Sequence, residues 1–141
     1  MALELVPLCT AELQLLSPIL IPGTPSGTRV IVPVATGRYK GDRLNGSVKG
    51  SMGADWLSVG PDGVVGTLDV RGVLETDDGA DVFVHYLGRK DMRDLYSPIY
   101  ATPLFDTGDE RYAWLNLIQA VAKGTVNEDL TVLTYEMYEL R

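Results

Sequence analysis

Turn-forming pairs cut this chain at short intervals: Pro22-Gly23, Pro25-Ser26-Gly27, Asn45-Gly46, Pro61-Asp62-Gly63, Asp77-Asp78-Gly79, Asp106-Thr107-Gly108 and Lys123-Gly124. No segment between them carries a long helix-period pattern, whereas runs of Val, Leu, Ile, Thr and Tyr recur. Short apolar runs bounded by such turns predict strands. They are expected at Leu5–Leu16, Gly27–Val34, Arg43–Gly50, Gly53–Ser58, Val64–Glu75, Asp81–Leu87, Tyr100–Phe105, Arg111–Val121 and Leu130–Tyr138. Asp62-Gly63 and Asp78-Gly79 suit hairpins, because glycine accepts a positive φ. One short helix is expected over Lys90–Tyr96, where Met92 and Leu95 are three apart and Pro98 follows as a stop. Many strands with no helical layer predict an all-β fold, a single antiparallel β-barrel with one short helix. Closure would also remove exposed sheet edges.

The 141 residues suit one domain spanning the chain, long enough for a core without disulfide staples. The net charge is −7, and no Lys/Arg cluster offsets it, so nucleic acid is not an expected partner. Cys9 is the only cysteine and cannot close an internal disulfide, which fits a reduced, cytoplasmic setting. The apolar stretch from Leu13 to Pro22 is short and broken by Pro18, so no membrane span or signal peptide is expected. Asn45-Gly46-Ser47 matches a glycosylation acceptor but reads as a turn.

The strand around Gly66–Leu74 places Asp69 and Arg71 on one face, since alternate strand residues point the same way. The same parity argument collects other polar and aromatic residues. Tyr112, Trp114 and Asn116 share a face of the expected Arg111–Val121 strand, and Tyr135 lies on a face of Leu130–Tyr138. Arg29 shares a face with Ile31, and Asp55 precedes Trp56. Two arrangements are open. The polar set faces water over an aliphatic core, the ordinary case for an antiparallel sheet. Alternatively it lines a barrel interior, and an eight-stranded barrel is just wide enough for one small ligand. Burial of Trp favours the second.

Several chemistries lack their residues. Gly23-Thr24-Pro25-Ser26-Gly27-Thr28 has no lysine for a phosphate loop, and no dinucleotide fingerprint or nucleophile elbow occurs. His85 is the only histidine and reads as a structural residue, so no histidine-rich metal site is possible, and no metal or other cofactor is expected. What remains is proton transfer and electrostatic stabilisation by Asp, Arg, Tyr and Lys40.

Five phrases occur in order along the chain: Gly27-Thr28-Arg29-Val30-Ile31-Val32-Pro33-Val34, Asp55-Trp56, Leu68-Asp69-Val70-Arg71, Thr76-Asp77-Asp78-Gly79-Ala80 and Tyr112-Ala113-Trp114-Leu115-Asn116. Together they resemble the domain of unknown function 3237 family over nearly the whole length. The resemblance implies a calycin or allene-oxide-cyclase-like barrel. It also marks Arg29, Asp55, Trp56, Asp69, Arg71, Asp78, Trp114 and Asn116 as pattern residues, and it tilts the Asp69–Arg71 pair inward. The chain departs from the pattern at Ala35-Thr36-Gly37 and at Asp106. Some fungal members resemble ring-closing isomerases of the chalcone isomerase kind. The implied activity is a cofactor-free isomerase or cyclase acting on a small phenolic carbonyl compound. Arg29, Asp55, Asp69 and Arg71 are its candidate catalytic residues, and Trp56, Tyr112, Trp114, Asn116, Tyr135 and Lys40 its candidate binding residues. A non-catalytic carrier of a small aromatic ligand, another lyase or hydrolase passing through an oxyanion, and a homo-oligomeric assembly role are the alternatives.

Overall fold

The computed structural model describes all 141 residues. Its strands are β1 (Leu5–Leu15), β2 (Ile19–Thr24), β3 (Gly27–Lys40), β4 (Gly46–Val48), β5 (Ala54–Val59), β6 (Val65–Thr76), β7 (Asp81–Asp91), β8 (Ile99–Ala101), β9 (Leu104–Asp106), β10 (Ala120–Val126) and β11 (Val132–Leu140). Eight of them close an antiparallel barrel in the order β6-β5-β3-β1-β11-β10-β8-β7, with β7 pairing back onto β6. The short β4 bridges β3 and β6, while β2 and β9 lie against β3 and β7. The all-β expectation holds. No helix is long and apolar enough to cross a membrane.

The longest ladder, β6–β7, runs from Val65↔Asp91 to Glu75↔Asp81. Its hairpin is closed by local chemistry. Thr76 Oγ1 accepts the Ala80 amide at 2.8 Å and donates to Asp78 at 2.7 Å, and Gly79 takes a φ of +93°. Period-two patterning then sorts the faces. Leu68, Val70 and Leu74 of β6 and Val82, Val84 and Tyr86 of β7 point inward and are buried. Ala11 and Leu13 of β1 and Leu133, Tyr135 and Met137 of β11 complete the inner wall.

Small residues on β10 make room for the large ones opposite. Gly124 pairs with Tyr135, and a Cβ there would stand 2.6 Å from Tyr135 Cε1. Gly124→Ala should therefore lower stability by about 1–3 kcal/mol and alter the near-ultraviolet tyrosine signal, both readable in a denaturant melt. One end of the barrel is plugged by Leu8, Leu44, Phe105 and Leu115. The other end stays open.

Two expected elements take a different form. Lys90–Tyr96 is not a helix: β7 runs through Asp91, and turns follow. Asp91 Oδ1 accepts the Arg93 amide at 3.0 Å and Asp94 Oδ1 the Tyr96 amide at 2.9 Å, so side chains take amides that a helix would need. Conversely, the first part of Arg111–Val121 is a 3₁₀ helix over Glu110–Leu117, capped by Asp109. Asn116 bonds the backbone of Thr107 through both its amide atoms, at 2.8 and 2.9 Å, and folds the segment back. Thr102-Pro103 splits the expected Tyr100–Phe105 strand into β8 and β9, since proline cannot donate to a ladder. The β2 strand, Ile19–Thr24, was not among the expected elements.

Candidate functional site

The open end of the barrel leads into a cavity of about 440 Å³. Its wall is mostly apolar, with Leu13, Val32, Leu57, Leu68, Val70 and Leu133 contributing. A cavity of this size and character suits a small organic ligand. Three loops frame the mouth: Leu16–Pro18, the segment after Lys90, and Asp129–Thr131. The Tyr96 hydroxyl donates to the Glu128 carbonyl at 2.9 Å and ties two of these loops together.

Few polar groups reach the cavity, and each has a distinct state. The ladder between β5 and β6 pairs Asp55 with Val70 and Ser58 with Thr67 but opens between them. There the Asp69 amide donates to Asp55 Oδ1 at 3.1 Å instead of to a strand carbonyl. Asp55 is half-buried as a residue, and its carboxyl lines the cavity. Desolvation pushes that carboxyl up to about 7; the Asp69 amide pulls the other way, and the Asp69 charge adds to the rise.

Tyr135 and Tyr86 meet edge to face, with ring centroids 5.4 Å apart at 77°. The Tyr135 residue is wholly buried (0% exposed), and its hydroxyl lies near that of Tyr86 without a hydrogen bond of good geometry. A buried hydroxyl without a well-formed bond costs about 1–3 kcal/mol. Burial is the first cause that raises both phenols well above their ordinary range; the neighbouring Tyr86 hydroxyl pulls Tyr135 the other way while Tyr135 adds to the rise of Tyr86, and the Asp55 charge raises both. Both phenols are thus protonated donors at neutral pH, facing a carboxyl poised to lose or gain a proton.

Of the residues singled out in the sequence, only Asp55 and Tyr135 line this cavity. Asp69 and Arg71 occupy the odd, outward parity of β6, so the inward orientation expected for them is corrected. Their side chains are 34% and 61% exposed, and Arg71 Nε lies 3.7 Å from Asp69 Oδ1. The same oxygen lies 3.1 Å from His85 Nε2. Arg29 and Trp56 also face outward, Trp56 being 51% exposed, and Lys40 is exposed at the end of β3. The parity that grouped Tyr112, Trp114 and Asn116 dissolves with the strand, because the 3₁₀ helix lies beyond the plugged end. There the Tyr112 hydroxyl donates to Asp78 at 2.8 Å, and Arg43 stacks over Trp114 at 4.8 Å. Tyr86 and Lys90 line the cavity and were missed. Tyr86 lies within the expected Asp81–Leu87 strand on its inward parity, whereas Lys90 falls beyond the expected end at Leu87.

With their side chains outside the barrel, Arg29→Ala and Arg71→Ala should leave stability within about 0.5 kcal/mol of the unaltered protein and binding of a cavity ligand within about twofold, read by a melt and a titration. A loss of tenfold or more in both would move the site to the outer face.

The barrel is closed at one end and holds at the other an apolar cavity lined by one desolvated carboxyl and two buried phenols. The chain belongs to the family described as protein of unknown function (DUF3237), whose model matches residues 3–140. It is 30% identical over 124 residues to a UPF0311 protein of Rhodopseudomonas palustris, covering 77% of this chain and 78% of that one. A β-barrel-like protein of Acinetobacter baumannii superposes with a TM-score of 0.87 at 27% identity, over 100% of this chain and 98% of that one. A crystal structure described as an enzyme from Penicillium herquei superposes with a TM-score of 0.72 at 25% identity, over 99% and 94% of the two chains.

Proposed function

We propose that this protein is a cofactor-free isomerase that closes a ring by intramolecular conjugate addition in a small phenolic enone bound inside the barrel. The observation that carries the proposal is the pairing, in the lining of one apolar cavity, of a carboxyl raised to about 7 with a protonated phenol that makes no well-formed hydrogen bond. The resemblance to a structure described as an enzyme supports catalysis over simple carriage.

The steps balance without a co-reactant. Asp55 as carboxylate takes the phenol proton of the substrate, and the phenolate oxygen bonds to the enone β-carbon. The double-bond electrons move onto the carbonyl oxygen, where the Tyr135 hydroxyl donates to the developing enolate. Asp55 then returns its proton to the α-carbon, so substrate and product are isomers. An ordinary aspartate is far too weak a base for a phenol. A carboxyl near 7 narrows that mismatch while remaining largely ionised at slightly alkaline pH. Tyr86 orients the Tyr135 ring. The cavity wall holds oxygen and β-carbon in reach, and positioning of that kind lowers the barrier of a cyclisation substantially.

The test is to incubate the protein with a panel of hydroxyaryl enones, following loss of enone absorbance and the enantiomeric excess of the product. Accelerated closure with one enantiomer in excess is the expected result. Tight binding with racemic product at the uncatalysed rate throughout the panel would favour the carrier reading instead.

A further inference from the structure

The cavity has one cation, and the proposed chemistry leaves it unused. Lys90 lies on the inward row of β7, four residues beyond Tyr86 and so about 13 Å further toward the mouth. Gly88 stands between them with no side chain. Lys90 is half-buried beside Met92, Leu95 and Ile99. Its Nζ donates to the Ser97 carbonyl at 2.6 Å and reaches Ser97 Oγ at 3.4 Å, both neutral oxygens on the mouth loop. Asp91 and Asp94 are near enough to stabilise its charge, yet neither forms an ion pair with it. Asp129 is the other charged group at the mouth. Fastening the loop through Ser97 occupies at most two of three ammonium hydrogens. A partly desolvated ammonium that no carboxylate touches directly attracts an anion, and the resulting hydrogen bond is charge-assisted.

We propose that Lys90 is the anion-recognition residue of this cavity. It takes a carboxylate, or a second, ionised phenol, carried by the end of the ligand that faces the mouth, while the carbonyl end lies against Asp55 and Tyr135. The proposal rests on the cavity being the binding site and narrows the substrate class to aromatic carbonyl compounds bearing an acidic group.

The probes are 6-hydroxy-2-naphthoate and its neutral methyl ester, titrated at pH 7 against the unaltered protein, Lys90→Gln and Lys90→Arg by isothermal calorimetry. Lys90→Gln is expected to weaken the acid about tenfold. It should leave the ester within twofold, and Lys90→Arg should retain the acid. Equal loss of both probes, no loss of either, or failure of the acid to bind the unaltered protein overturns the proposal. Ester binding that survives while the acid shows no dependence on Lys90 removes the subsite alone and leaves the cavity reading standing.

Discussion

Asp55→Asn is expected to reduce ring-closing turnover by about 10²–10⁴-fold while making the folded protein more stable at pH 8. The two effects share one cause. Burial raises the Asp55 carboxyl from its ordinary range to about 7, so the folded state holds a proton that the unfolded state has already released above about pH 4. Between those values the unfolded state binds fewer protons, and stability falls as pH rises. The contribution is present below the unfolded pKa and gone above about 7. A shift of this size corresponds to at most about 4 kcal/mol, and partial access to water at the mouth reduces it to about 2. Asparagine keeps an oxygen for the Asp69 amide and removes the charge. Its melting curve should therefore lie above that of the unaltered protein at pH 8 and converge with it near pH 4. A structural carboxylate would behave oppositely, losing stability with little change in turnover.

Tyr135→Phe is the second large effect. Removing one donor from a developing oxyanion costs about 10²–10³-fold in turnover. The same change deletes a buried hydroxyl that makes no well-formed hydrogen bond, so stability should be unchanged or up to about 1 kcal/mol higher. Steady-state rates and a denaturant melt on one preparation read both quantities. If Tyr135→Phe lowers stability by 2 kcal/mol or more, the hydroxyl is bonded in the folded protein and is not held in reserve for a ligand.

Much of the barrel could be read from the chain because its determinants are local. Asp77-Asp78-Gly79 and Pro61-Asp62-Gly63 close hairpins with their own side chains and glycines, and the even-numbered Val and Leu of β6 and β7 announce the inner face. The site was less legible. Asp69 and Arg71 share a face as expected, but which face is inner depends on the neighbouring strands, and the aliphatic parity wins because it buries more apolar surface. The 3₁₀ helix was missed because its cause, the Asn116 bonds to Thr107, spans nine residues and leaves alternating aromatics that imitate a strand. Lys90 escaped notice because Asp91 and Asp94 look like helix residues yet form turns. Asp55 stood out by its place beside Trp56 and by the family pattern. Nothing in the sequence shows that the β5–β6 ladder opens to receive its carboxyl.

Strand β6 nevertheless acts at the site through its backbone. Its outward pair meets His85, while the Asp69 amide reaches inward to Asp55 Oδ1. The Asp55 carboxyl is thus held by the amide of a residue whose own side chain faces outward.

The most direct test is a carboxyl-carbon NMR titration of the uniformly labelled protein, with the Asp55 resonance assigned by its absence in Asp55→Asn. A midpoint near 7 is the predicted result, and a midpoint in the ordinary aspartate range near 4 would contradict the account.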